Sequence, residues 1–301
     1  MSDFRAHPES ATPTLVRAIE TGFSSCPNDT FMFHGLIMGD VAVPGLRFTP
    51  AIADIEALNL RAIDPARALP LTKLSASAVA HVSDRYTVLS AGAALGRGCG
   101  PLVVRRAADE QLASLADLRG RTVAIPGHYT TAHLLLRTFY AEAVGGEPLD
   151  VRVMRFEQIM PAVAEGWVDA GLIIHESRFT YPAHGLVELA DLGVLWERST
   201  GLPIPLGMIC AARTLEPALI DAIEDGLRRS VELAFAEPER SRAWIAEHAQ
   251  ELDPEVCRQH ISLYVNDFSI ALGPEGRAAI DELLARGRAS GFLPPGPSPW
   301  R

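Results

Sequence analysis

Over its first two thirds the chain alternates short apolar runs with amphipathic stretches. After residue 205 it becomes mostly helical in pattern. Residues 15–23 (LVRAIETGF) read as a strand, and the apolar run FMFHGLIMG that follows residues 24–30 reads as a helix. Residues 45–52 suggest a second strand and 54–63 a short helix with Asp54 as its N-cap. Residues 69–75 read as a strand ending on Ser75, followed by helix at 76–82, and 86–91 and 101–105 are further strands. In the middle block, 109–120 is a polar helical segment, 122–127 a strand and turn, and 151–156 another strand. From Thr130, TTAHLLLRTFYAEAV has the apolar spacing of an amphipathic helix, and 156–166 is a helix closed by Gly166. Residues 168–174 (VDAGLII), apolar from Gly171 to Ile174, are expected as a buried strand, and helices are expected at 214–236, 238–250, 254–266 and 274–290. Residues 1–14 are polar and expected to be loosely attached, and the tail FLPPGPSPW is irregular.

Strands alternating with helices imply parallel βαβ units and an α/β fold. Two extended apolar segments, 100–106 and 203–213, flank the middle block. They predict a chain that leaves one domain, builds a second and returns: residues 1–104 with 206–301 form a discontinuous outer domain, and 105–205 an inserted one. Such a topology places a ligand in the cleft between the two.

Composition narrows the partners. The 301 residues carry a formal net charge of -10 with no basic block, which argues against nucleic acid and anionic membranes as partners. An anionic ligand would need local dipoles or a few cations to hold it. The opening residues lack the apolar core of a secretory signal and no run approaches a membrane span, so a cytoplasmic location is expected. The four cysteines form no C-x-x-C pair and are expected as reduced, packed thiols.

The run GLIIHESRFTY (171–181) ends a buried strand on His175. Ligands in open α/β sheets sit at the carboxyl ends of strands, and histidine titrates nearest neutral pH, so His175 is the candidate base. Three hydroxyl-rich strand–helix joints accompany it: Ser24 to Thr30, with Asn28 and Asp29; Lys73-Leu74-Ser75; and Gly127 to Thr131, with Thr130 and Thr131. Each offers unpaired amides and a helix dipole suited to an anion, although Ser and Thr at such places often serve only as N-caps. Lys73 is the one lysine of the chain. His128 and Arg97 are weaker candidates for the cleft. Zincin, EF-hand and phosphate-loop spacings fail, and Gly96 to Gly100 precedes a strand without a following helix, so no metal or organic cofactor is expected.

The runs SSCPNDTFMFHG, LPLTKLS, LGRGCGPLVV, VAIPGHYTTAH, TGLPIPLG and especially GLIIHESRFTYPAHGL resemble the 1,4-dihydroxy-6-naphthoate synthases, which act on cyclic dehypoxanthine futalosine on a route to menaquinone. The resemblance implies a fold like the type 2 periplasmic binding proteins and a small-molecule carboxylate substrate. It also implies His175 as proton acceptor, with Lys73, Leu74, Ser75, Thr130 and Thr131 at the substrate. Ser25 stands where the family pattern has proline, a change that frees a backbone donor but leaves Asn28, Asp29 and Thr30 in place. Two rival readings carry the same fold: a chorismate dehydratase of the same pathway, and a non-catalytic solute-binding protein.

Overall fold

The computed structural model describes residues 16–249 and 253–301. The expected looseness of residues 1–14 lies outside them. From the amino terminus come β1 (Arg17–Phe23), α1 (Pro27–Met38), β2 (Leu46–Ile52), α2 (Ile55–Ile63), β3 (Leu71–Ser75), β4 (Tyr86–Val88) and β5 (Ala94–Gly96). The middle block supplies β6 (Leu102–Arg106), β7 (Thr122–Ile125), α3 (Thr131–Val144), β8 (Asp150–Val153), α4 (Phe156–Ala164), β9 (Ala170–Ile173), α5 (Ser177–Thr180), β10 (Leu186–Asp191) and α6 (Leu192–Thr200). The chain then runs through β11 (Ile204–Ala212) into α7 (Pro217–Ala236), α8 (Arg242–His248), α9 (Pro254–Tyr264), α10 (Asp267–Ile270) and α11 (Gly273–Ala289).

The strands form two sheets. One has the order β2-β1-β3-β11-β4 with β5 paired to β11, and the other the order β10-β6-β9-β7-β8. In the first sheet β1 runs parallel to β2 and β3, and in the second β7 runs parallel to β8 and β9. The expectation of parallel units fails for the strands reached across the molecule. β11 is antiparallel to β3, β4 and β5, and β6 is antiparallel to β9 and β10. These strands enter a sheet from the opposite sheet, with no crossover helix to impose a parallel return.

Local chemistry explains the elements that frame the site. α1 starts on Pro27, whose fixed φ suits a first helical position, and ends on Gly39 in the left-handed region at φ 81°. Its faces are apolar nearly all round, as a helix packed among α7, α8 and α9 requires. α2 is capped as expected, Asp54 Oδ1 accepting from the Ala57 amide at 2.8 Å. Other expectations shrink: 76–82 contains a single 3-10 turn (Ala78–His81), and 109–120 another (Leu115–Leu118) held by a capping box between Ser114 and Asp117. The pattern gives no sign of β5, α5, β10, α6 or α10. A core cluster joins the two sheets, with Leu74, Val88 and Met208 of the first packed in one cluster with Val103, Val123 and Leu172 of the second. At the passage between them, a Cβ on Gly100 would lie 2.2 Å from the Gly193 nitrogen, so the two backbones meet there without side chains between them. Among the described residues, no helix is long and apolar enough to cross a membrane.

Candidate active site

β9 is buried along its length in the middle of the second sheet. Its Gly171 lets α4 close on the strand: an added Cβ would stand 2.6 Å from Ile159 Cγ2. Two residues beyond the strand, His175 has φ 57°, the one positive φ outside glycine among the described residues. Such backbone is uncommon for a side-chain-bearing residue and costs on the order of 1–3 kcal/mol, held only where surrounding structure imposes it. The turn delivers the half-buried imidazole to a pocket lined also by Lys73, Tyr264 and Ile174. The ring of Phe156 stands 5.0 Å away and that of His260 6.2 Å away, centroid to centroid.

Around the same pocket the structure brings together Asn28, Lys73, Ser75, Thr130, Thr131 and His175 from the three predicted joints and the strand end. The remaining predicted residues lie behind it. Leu74 is fully buried in the core, because alternation along β3 sends Lys73 and Ser75 to one face and Leu74 to the other. Thr30 donates to the carbonyls of Cys26 and Pro27, at 3.1 and 3.3 Å, and so bonds its own helix turn. Ser24 and Asp29 are buried beside the pocket and support it: Asp29 Oδ2 accepts from the Ser24 amide at 3.0 Å and from its hydroxyl at 2.6 Å. Arg97 does not face the cleft but pairs with Glu275 at 2.8 Å on the surface. His128 lines a different depression with His133 and Arg137. Arg178 ties the Gly100 carbonyl to Asp191, at 2.8 and 2.7 Å.

Both threonine hydroxyls are already engaged. Thr130 Oγ1 donates to the Gly127 carbonyl at 2.9 Å and accepts from the His133 amide at 3.2 Å, as the N-cap of α3. Thr131 Oγ1 donates to the Leu206 carbonyl at 2.8 Å and accepts from the Ser77 amide at 3.3 Å. What this helix start offers a ligand is therefore its dipole and first-turn amides, over a helix of 14 residues. Ser75 differs. Its oxygen accepts from Asn59 Nδ2 at 2.9 Å and its hydroxyl proton has no acceptor among the described residues, so it can donate into the pocket. Across from the loop before α3, Glu56 of α2 accepts from the Tyr129 amide at 3.1 Å.

The charges are few and deep. Lys73 Nζ pairs with Asp29 Oδ1, and both side chains are almost wholly buried. Asn28 Nδ2 also donates to Asp29 Oδ1, at 3.2 Å, which leaves Asn28 Oδ1 to accept from His260 Nε2 at 3.0 Å. Burial first, and then the neighbouring Lys73 cation, push His175 down to about 4, so the ring is neutral at physiological pH. Burial also lowers His260 well below its ordinary range and raises the Cys26 thiol. Sequence reasoning missed both residues. Cys26 looked like a packed hydrophobe, yet its sulfur is 3.3 Å from His175 Nδ1. His260 carried no motif and reaches the pocket from α9.

Cys26, His175 and Glu176 have one ligand-type atom each within 4.8 Å of one another, the donor set a transition metal could use. The Lys73 cation nearby and the thiol–imidazole contact fit proton sharing better, and we read the group in that way.

These buried imidazoles make the fold acid-sensitive. An unfolded histidine takes up its proton near 6.5, whereas folded His133 and His175 resist until about 4. Within that window the unfolded chain binds more protons, so stability falls as pH drops through it. Glu56, whose carboxyl burial pushes up, opposes this in part. Thermal melts across the window should show Tm falling with pH, and His133→Gln, which lies away from the pocket, should lessen the slope.

Comparison with known proteins fits this geometry. The sequence profile of a family described as menaquinone biosynthesis matches residues 19–289. The chain is 49% identical over 284 residues to a 1,4-dihydroxy-6-naphthoate synthase of Thermus thermophilus, covering 94% of this chain and 99% of the relative. It is also 49% identical over 277 residues to the synthase of Streptomyces coelicolor, covering 92% and 95%. The crystal structure of an Archaeoglobus fulgidus protein superposes with a TM-score of 0.82 at 32% identity, over 92% of this chain and 98% of that one. The alkanesulfonate-binding protein SsuA of Xanthomonas axonopodis, bound to MOPS, shares the fold at a TM-score of 0.68 and 18% identity, over 95% and 96%. The architecture is thus the periplasmic-binding-protein-like one. The chain belongs to the menaquinone-biosynthesis family that includes the 1,4-dihydroxy-6-naphthoate synthases.

Proposed function

We propose that this protein is a carbon–carbon lyase that converts cyclic dehypoxanthine futalosine to 1,4-dihydroxy-6-naphthoate. The observation that carries the reading is a neutral imidazole, turned by left-handed backbone into a pocket that also holds an ammonium and a helix amino terminus. His175 takes a proton from the bound substrate. Carbon–carbon cleavage then expels the sugar-derived fragment, and the remaining bicycle aromatises. Aromatisation supplies the driving force, so the protein has to supply a base and an orientation. The substrate carboxylate lies at the start of α3, against the first-turn amides and the Ser75 hydroxyl, and Lys73 reaches a carboxyl or sugar oxygen. We place the cleft between an outer domain (1–104 with 206–301) and an inserted one (105–205). The two sheets support that division, drawing on strands within 17–96 and 204–212, and within 102–191. The reaction is cytoplasmic in this reading and uses no metal or organic cofactor.

Identity to the synthases along nearly the full chain favours this reading over a chorismate dehydratase. A base at the strand end favours it over a solute-binding protein, which needs none. The purified protein, incubated with cyclic dehypoxanthine futalosine, should release the dihydroxynaphthoate and leave chorismate untouched. Turnover of chorismate, or tight binding of the futalosine derivative without product, would refute it.

A further inference from the structure

A serine hydroxyl can donate or accept, and its neighbours decide which. Ser75 ends β3 at the pocket, and behind it stands Asn59 of α2, fully buried. The Ser75 backbone amide, which can only donate, is bonded to Asn59 Oδ1 at 2.9 Å. That contact fixes which way the asparagine amide points, since the flipped amide would set an NH2 against an N–H. Its two N–H bonds are then both committed, one to Ser75 Oγ at 2.9 Å and the other to Glu56 Oε2 at 3.1 Å. The Ser75 oxygen therefore accepts from behind, and its own proton is left for the pocket.

Glu56 ties this asparagine to the facing wall. Its carboxylate also accepts from the Tyr129 amide, at 3.1 Å to Oε1 and 3.3 Å to Oε2. Gly127 makes room for it, because an added Cβ there would stand 2.2 Å from Glu56 Cδ. The loop held in this way leads directly into α3. The Ser75 hydroxyl, the Lys73 ammonium and the amides at the start of α3 thus form a wall of donors.

We infer that Asn59, anchored by Glu56, is a positioning residue that makes Ser75 a one-way donor, so that this wall selects a carboxylate over the matching carboxamide. A carboxylate only accepts, whereas an amide puts an NH2 in place of one oxygen and turns donors against donors. The inference rests on the proposed placement of the substrate carboxylate beside Ser75, but binding alone can read it.

The test reverses the network without emptying it. In the double variant Glu56→Gln/Asn59→Asp the net charge is unchanged and each internal contact keeps a partner. The introduced amide accepts from Tyr129 and donates to the introduced carboxylate, which still accepts from the Ser75 amide. Only the Ser75 hydroxyl turns, donating back to that carboxylate and showing the pocket a lone pair. Calorimetry on the full chain compares 2-naphthoate with 2-naphthamide. The wild type should bind the naphthoate about 10–10²-fold more tightly, the worth of one charge-assisted hydrogen bond. The reversed variant should lose that preference with Tm near the wild-type value, a result that a merely structural role for Asn59 would not produce. Ser75→Ala should shrink the preference, and reversal added to Ser75→Ala should change little more, because the hydroxyl it acts through is gone. A wild type without the preference, or a reversed variant that keeps it, would overturn the inference. Should the reversed variant not fold, Ser75→Ala decides: weaker naphthoate binding supports an enforced donor, and tighter binding overturns it. A protein that shows the preference, loses it on reversal and yet does not turn over the futalosine derivative would sink the reaction and leave this inference standing.

Discussion

His175→Asn is expected to lower kcat by about 10²–10⁴-fold, the usual contribution of a positioned general base, while KM stays near its wild-type value. The choice of asparagine matters. The backbone at His175 has φ 57°, and asparagine enters the left-handed region more readily than other non-glycine residues. The turn that ends β9 therefore survives, and what is lost is the basic nitrogen. Alanine at the same position removes the base and also meets the backbone strain, on the order of 1–3 kcal/mol. His175→Ala should accordingly show the same loss of kcat with a lower Tm. The pH profile adds a second check. With the imidazole pushed down to about 4, the acidic limb of kcat/KM should fall near that value in the wild type and vanish from the residual activity of the asparagine variant. The charged and titratable groups that set its position are Lys73, Asp29 and Asp54, with His260, Cys26 and Glu176 also close to the ring. Near-normal kcat in His175→Asn would remove this residue from the role of base.

The sequence was informative where a local pattern carries the physics and silent where distance does. The place of His175, two residues past the end of β9, is legible because an apolar run stops abruptly on a titratable residue. The start of α3 at Thr130 is legible because caps have a signature. That signature says where a helix begins and nothing about which donors remain. In the fold, the two threonine hydroxyls turn inward to backbone carbonyls and leave ligand binding to the amides. Leu74 shows the limit of naming a run of residues, since neighbours on a strand face opposite ways. Strand direction is equally hidden, because β6 and β11 read as apolar runs whichever way they lie. Cys26 and His260 were invisible for a different reason. The contact of Cys26 with His175 spans 149 positions and that of His260 with Asn28 spans 232, so no spacing rule connects them. A buried thiol facing a base has the same local signature as one packed against leucine.

Breaking the Asp29–Lys73 pair should produce the largest loss of stability at this site, and the way it is broken separates folding from function. Both side chains are almost wholly buried, so removing either partner strands a charge out of water. Lys73→Met leaves the carboxylate with only Ser24 and Asn28 as donors, and should cost about 3–5 kcal/mol. Asp29→Asn should cost a similar amount by stranding the ammonium beside neutral His175. In the double variant no charge remains, so the two losses should not add, and most of the stability should return. Activity should not return with it. A charge-assisted hydrogen bond to the substrate is worth about 1.5–3 kcal/mol, so kcat/KM should stay down by about 10–10²-fold. Gly207→Ala gives a gentler probe of the same ammonium. Its added Cβ would stand 2.9 Å from Lys73 Cε, at the end of a flexible side chain that can swing aside. KM should rise there with little change in Tm. Denaturant unfolding and steady-state kinetics on the four variants check every arm. If the double variant were as unstable as the singles, the buried charge would not be what stability depends on. If Lys73→Met bound substrate with wild-type KM, the ammonium would not be touching it.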